Sequence, residues 1–277
     1  AFRREKLRRL REHVVAEQGE RAFRRHAALR REHLHPSGVA MGLRHGFGLF
    51  LQPMTLANGW SRETFAFAMA MQNLVWGIAQ PFTGMLADKF GAGKVLLVGA
   101  LLYILGLLVM AFATSGTLFG WGSGLLIGLG LSGTTFSVVY GVIGRSFPPE
   151  KRSMALGIAG AAGSFGQFAM IPATQTLISS FGWMEALLII AAVAAAMMPL
   201  SAAMIEKPEA ATEHKHQSIA EAVREAFAHK SFLLLTLGYF VCGFQVVFIG
   251  VHFPSYLIDQ GFTARDGVIS LALIGLS

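Results

Sequence analysis

The stretch GMLADKFGAGK, residues 84–94, sets one acid, two lysines and three glycines between two long apolar runs. Those runs, near 64–87 and 95–114, carry no charged residue at all. A bilayer core about 30 Å thick is crossed by roughly 20 mostly apolar residues in helical form. Each run therefore fits a membrane-spanning helix, and the polar stretch is the turn between them. Asp88 and Lys89 close one helix, Gly91 and Gly93 permit a tight reversal, and Lys94 opens the next. Lys94 sits where the helix dipole by itself favours an acid.

Composition extends the membrane reading to the whole chain. With 53% hydrophobic and 14% charged residues and a mean hydropathy of +0.53, the chain holds more apolar side chain than a soluble domain of 277 residues encloses. The net charge of +7 could point to nucleic acid, but residues 1–38 hold eleven Arg and Lys against five Glu, so the remainder is close to neutral. That leader has no aromatic stacking pattern, and no nucleic-acid partner is expected. The single cysteine, Cys242, lies in an apolar run and reads as a small buried hydrophobe rather than part of a disulfide or zinc framework. Neither a metal nor a cofactor is expected. The chain has no nucleotide-binding glycine loop followed by Lys and Ser or Thr, no cluster of metal ligands and no paired buried carboxylates, which disfavours an enzyme or an ATP-driven pump.

Spans are read near 64–87, 95–114, 118–144, 153–178, 184–204 and 232–257, with a shorter one at 39–57 and the start of another at 267–277. Residues 205–230 form the long connection. Ile219, Val223 and Phe227 stand there at helical spacing, the pattern of a short amphipathic helix. If the chain crosses alternately, one side receives Lys89, Lys94, Arg145, Lys151, Arg152, Lys207, Lys215, Arg224 and Lys230, and the other only Arg62 and Arg265. The positive-inside bias then places both the 84–94 turn and the linker in the cytoplasm of a multi-pass protein of the plasma or bacterial inner membrane.

A plain positively charged glycine turn would account for 84–94 mechanically. The stretch also resembles the loop between helices two and three of the major facilitator superfamily. That loop reads Gly, three residues, Asp, a basic residue, any residue, Gly, then further basic residues. Gly84, Asp88, Lys89, Gly91 and Lys94 match it, while Ala92 and Gly93 stand where a basic pair is usual. The resemblance implies that the acid and the basic residues latch two six-helix halves on the cytoplasmic face, an ion pair being breakable at modest cost. GRSFPPEKRSMALGIAGAAGSFGQ, residues 144–167, is similar to the segment joining helices four and five, nearest the monocarboxylate and oxalate/formate-type carriers. The likeness runs from about residue 42 to 277.

The resemblance implies an all-α polytopic bundle. It divides into a basic leader, non-native or disordered, over 1–38; helices one to six over 39–204; a cytoplasmic linker over 205–230; and helix seven with part of helix eight over 231–277. Twelve helices are implied in all, so a partial or frame-shifted reading of a transporter is expected. A natural arm lying on anionic lipid is the other reading of the leader.

Candidate site residues come from polar groups in apolar runs. Gln72, Trp76 and Gln80 share one helix face with Asn73 beside it, either facing a transport cavity or bonding a neighbouring helix. Thr134, Ser137 and Tyr140 recur every three residues, although hydroxyls at such positions often bond only their own helix backbone. Gly157, Gly160, Gly163 and Gly166 suit a close-packing hinge. Arg44 either faces water or an anion, or snorkels from a helix that begins there. Gln245 and His252 share a helix-seven face with Ile249 and Tyr256, and His252 either binds substrate or relays a proton, or is structural.

No acid lies deep in helices two to seven, since Glu63, Glu185, Asp259 and Asp266 fall near their ends. An organic cation would want a buried acid, so an anionic or neutral solute fits better. The expected function is secondary transport of a small organic anion such as a mono- or dicarboxylate by alternating access, with proton coupling a further option. The alternatives are a transporter-like sensor or scaffold and a non-functional fragment.

Overall fold

The computed structural model describes residues 35–146, 148–203 and 219–276. The leader up to residue 34 and linker residues 205–218 lie outside them. All regular structure among the described residues is helical. The first span is α1 (His35–His45), a 3-10 stretch (Gly46–Phe50) and α2 (Leu51–Asn58), starting within what the sequence suggested was leader. Then follow α3 (Arg62–Phe90) and α4 (Ala92–Ala111). The fourth span is α5 (Gly116–Phe119), a π-helical stretch (Gly120–Leu126), α6 (Ile127–Thr134) and α7 (Phe136–Ser146). Beyond it come α8 (Pro149–Phe181), α9 (Trp183–Ala195), α10 (Met197–Ala203), α11 (Ile219–Ala228), α12 (Lys230–Asp259) and α13 (Ala264–Leu276).

Among these, Ala92–Ala111, Gly116–Gly144, Pro149–Phe181 and Lys230–Asp259 are long and apolar enough to cross a membrane, and Trp183–Pro199 is a shorter apolar helix. Helix α3 has the length as well, at 29 residues, but Gln72, Asn73 and Gln80 dilute its apolar character. The exposed positions include many large apolar side chains, among them Phe67, Leu74, Leu234, Leu235, Phe240 and Phe244. That inversion of the soluble pattern suits a hydrocarbon surround.

The 84–94 turn is tighter than expected. Helix α3 runs through Phe90, α4 begins at Ala92, and Gly91 alone reverses the chain at φ 94°, a conformation that favours glycine. Its N–H bonds the Ala87 carbonyl at 3.0 Å. Gly93 is therefore not part of the reversal; it is buried within α4. At the other end of α3, Ser61 caps the helix by accepting from the Thr64 N–H at 3.2 Å.

The fourth span, read from sequence as one continuous helix over 118–144, is creased. Thr135 leaves the helix at φ −111°, ψ −153°. Six glycines between 120 and 133 weaken the hydrogen-bond ladder there. The Ser132 carbonyl accepts from Thr83 Oγ1 at 2.9 Å and Ser137 Oγ at 3.1 Å. Thr134, one of the candidate stripe, bonds its own helix at Gly130, 2.9 Å.

Small residues let the helices touch through their backbones. A Cβ added to Gly166 of α8 would meet the Gly38 carbonyl of α1 at 2.1 Å, and one on Gly42 would meet the Gly166 carbonyl at 2.5 Å. The other members of the proposed glycine hinge stand apart: Gly157 has nothing within 4 Å, while Gly160 and Gly163 come only within ordinary contact of Tyr140 and Phe136. The main core gathers Phe47, Phe50, Phe65, Tyr103 and Phe119 between the first span, α3, α4 and the fourth span. The rings of Phe65 and Phe119 lie 5.2 Å apart. Cys242, expected inside, is exposed on α12.

Candidate functional site

Arg44 occupies the last turn of α1, where the dipole favours a cation, just before the 3-10 stretch that redirects the chain. Its side chain turns toward α3 rather than toward an interface. The Nη2 group donates to Asn73 Oδ1, and the guanidinium carbon lies 4.6 Å from the Trp76 ring centroid, within range of a cation–π contact. Asn73 is held in turn by its Nδ2, which donates to the Met69 carbonyl at 2.7 Å. Trp76 Nε1 donates to Thr135 Oγ1 at 3.0 Å, so the arginine stacks on a ring fastened to the crease of the fourth span.

Two donors in this group have no partner among the described residues. Arg44 Nε is buried without a hydrogen bond, and so is Gln72 Nε2, on a residue only 1% exposed. No carboxylate pairs Arg44 among the described residues. The charge lines a cleft with His45, Gln72, Asn73 and, across from them on α12, Val247, Gly250 and Val251. A part-buried cation beside unsatisfied donors is an arrangement that a negative charge would stabilise. In this state the cleft has room for little more than a water-sized group.

Of the residues singled out by sequence, Arg44, Gln72, Asn73 and Trp76 are thus assembled. The others are not in the cleft. Gln80 is half-buried one turn past Trp76, Tyr140 packs against Phe136 with ring centroids 5.1 Å apart, and Gln245 is exposed. His252 lies beside Phe248, 5.1 Å between ring centroids. The imidazole that does line the cleft is His45, whose Nδ1 stands 2.7 Å from the Met41 carbonyl. Its adjacency to Arg44 was the available signal. Thr135 was equally unremarked, because the six glycines ahead of it mark a weakened ladder but not the residue at which it breaks.

At the turn, Asp88, Lys89 and Lys94 are exposed, Lys89 Nζ lies 5.3 Å from the Phe90 ring centroid, and Gly84 has open space around it. The opposite end of the molecule carries a bidentate ion pair. Arg62 Nη1 and Nη2 donate to the two carboxylate oxygens of Asp259 at 2.5 and 2.9 Å, tying the start of α3 to the end of α12.

A family model described as Major Facilitator Superfamily matches residues 37–277. The chain belongs to the major facilitator superfamily. The match begins ahead of Gly42, where the likeness was expected to start, and takes in nearly all of α1. The chain is 29% identical over 245 residues to monocarboxylate transporter 11 of Mus musculus, covering 86% of this chain and 54% of that protein. It is 26% identical to monocarboxylate transporter 13 of Rattus norvegicus, covering 87% and 56%. A putative niacin/nicotinamide transporter, NiaP of Bacillus subtilis, is 27% identical over 65% of this chain and 46% of its own length. The chain thus spans about half the length of the curated relatives it matches. A solved peptide transporter, POT, bound to alafosfalin, superposes with a TM-score of 0.51 at 18% identity, over 80% of this chain and 47% of that one; this likeness concerns the fold alone. The superfamily and the apolar helices together make this a multi-pass membrane protein of a transporter family.

Proposed function

We propose that the protein is a secondary transporter of small organic anions, monocarboxylates foremost, working by alternating access. The observation that carries the proposal is Arg44: a cation between helices, without a carboxylate partner among the described residues, beside the unpartnered Gln72 amide and facing the cleft toward α12. A carboxylate would satisfy the guanidinium in the geometry that group is built for. Relatives named as monocarboxylate transporters support the reading, and one is named for niacin, a carboxylate, together with nicotinamide. The 84–94 turn is the cytoplasmic latch in this reading, and Arg62–Asp259 is its counterpart on the far side.

Uptake of labelled lactate by proteoliposomes is the test. Saturable uptake, competed by other monocarboxylates and not by tetraethylammonium, is the expected result. Uptake of neutral nicotinamide with none of lactate would overturn the anion assignment. Lactate binding without uptake would favour the sensor reading.

The ion pair makes a separate prediction. In a Cys242→Ala background, a cysteine placed at Ser255 is expected to react faster with a membrane-impermeant maleimide once Arg62→Gln breaks the pair. The rise is modest, roughly two- to fivefold, because the pair is exposed. The exchanged pair, Arg62→Asp with Asp259→Arg, is expected to return the rate to its starting value. An unchanged rate in Arg62→Gln would show that the pair holds nothing closed.

A further inference from the structure

A second cavity lies between the Arg44 cleft and the Arg62–Asp259 pair. It has a cavity volume of about 120 Å³ and is lined by Gln52, Gln175 and Ser255 together with apolar groups such as Leu49, Ile178 and Ile258. Ser255 is 4% exposed. Neither its hydroxyl nor the side-chain amides of Gln52 and Gln175 hold a hydrogen bond with another described residue. Gly48 lines both cavities. What separates them is a backbone contact, for a Cβ on Gly48 would fall 2.0 Å from the Gly250 carbonyl.

The two cavities differ in charge. The cleft holds Arg44, whereas no charged side chain lines the second cavity. Two primary amides and a hydroxyl can each both donate and accept. Their match is a group that also does both, with an apolar remainder against Leu49, Ile178 and Ile258. A carboxylate offers acceptors only and would enter a low-dielectric site with no counter-charge, which is costly.

We propose that this cavity is a second ligand site, selective for the uncharged hydrogen-bonding end of a small organic molecule, a carboxamide or an undissociated carboxylic acid. It rests on the transporter reading only for its place on the solute path; the binding itself is tested apart from transport. The solute would reach Arg44 from this side when the Gly48–Gly250 contact parts.

Propionamide and propionate make a matched pair, one neutral and one anionic at neutral pH. Their binding to the protein in lipid nanodiscs is read by saturation-transfer difference NMR. The propionamide signal is expected to fall at least fivefold in both Gln175→Leu and Ser255→Ala, and to persist in Arg44→Gln. The propionate signal is expected to show the reverse. Ser255→Ala removes one oxygen atom, so it keeps the test valid should Gln175→Leu disturb folding, which a thermal melt monitors. Absence of a propionamide signal, or its loss in Arg44→Gln with retention in Ser255→Ala, overturns the second site. Absence of a propionate signal from the unaltered protein, with propionamide still bound, would count against the anion reading and leave the second site standing.

Discussion

Arg44→Gln is expected to lower lactate uptake about 10- to 100-fold. The estimate follows from a hydrogen bond to a charged group contributing roughly 1.5–3 kcal/mol, with each 1.4 kcal/mol worth about tenfold. Glutamine can still donate to Asn73, but it cannot supply the charge, the fork or the stacking on Trp76. Arg44→Lys keeps a charge without the planar geometry, so it is expected to fall between the two, chiefly through a raised KM. Stability separates this role from a structural one. Losing a buried cation that lacks a partner carboxylate costs the fold little, so the melting temperature should hold or rise in Arg44→Gln. A collapse of folding in Arg44→Gln would instead make the arginine a packing element.

Gly48→Ala and Gly250→Ala should differ sharply although the two glycines touch. A methyl group on Gly48 would meet the Gly250 carbonyl at 2.0 Å and the Val251 Cα at 3.0 Å, whereas one on Gly250 meets nothing within 4 Å. Forcing backbone apart costs on the order of 1–3 kcal/mol, and the cost falls on the state in which α12 closes against the first span. Transport in Gly48→Ala is therefore expected to drop about tenfold or more, with the equilibrium moved toward the state open on the Arg62 side. Maleimide labelling of a cysteine at position 255, again without Cys242, should rise in parallel. Gly250→Ala, which meets no such obstacle, is expected to leave the labelling at position 255 unchanged. Equal behaviour of the two variants would show that the contact is not the barrier between the cavities.

The half of the candidate site on α1 and α3 was legible in the sequence for a physical reason. A cation and amides inside apolar runs are expensive in hydrocarbon unless they meet, and helical spacing put Gln72, Asn73 and Trp76 on adjoining faces. The half on α12 was not. Gln245 and His252 drew attention because they are polar, but the face turned to the cavities carries Val247, Gly250, Val251 and Ser255. A helix apolar all round does not declare how it is rolled about its axis, because no single face dominates its burial. The helix bounds in the apolar runs were read to within a few residues, whereas the turn was misjudged. Hydrophobic length is a sum over many residues, while the reversal depends on the dihedral angles of Gly91 alone. The crease at Thr135 likewise arises from competition between a glycine-weakened ladder and hydroxyls from two helices.

That crease bears on how the fourth span can bend in oil. An ordinary kink bares a carbonyl to lipid, and the penalty stiffens the helix against further flexing. Here the Ser132 carbonyl keeps two hydroxyl partners, one from α3 and one from beyond the break. The span can therefore work as an articulated lever with a lubricated joint, swinging its two arms independently, while Trp76 couples the joint's angle to the position of Arg44.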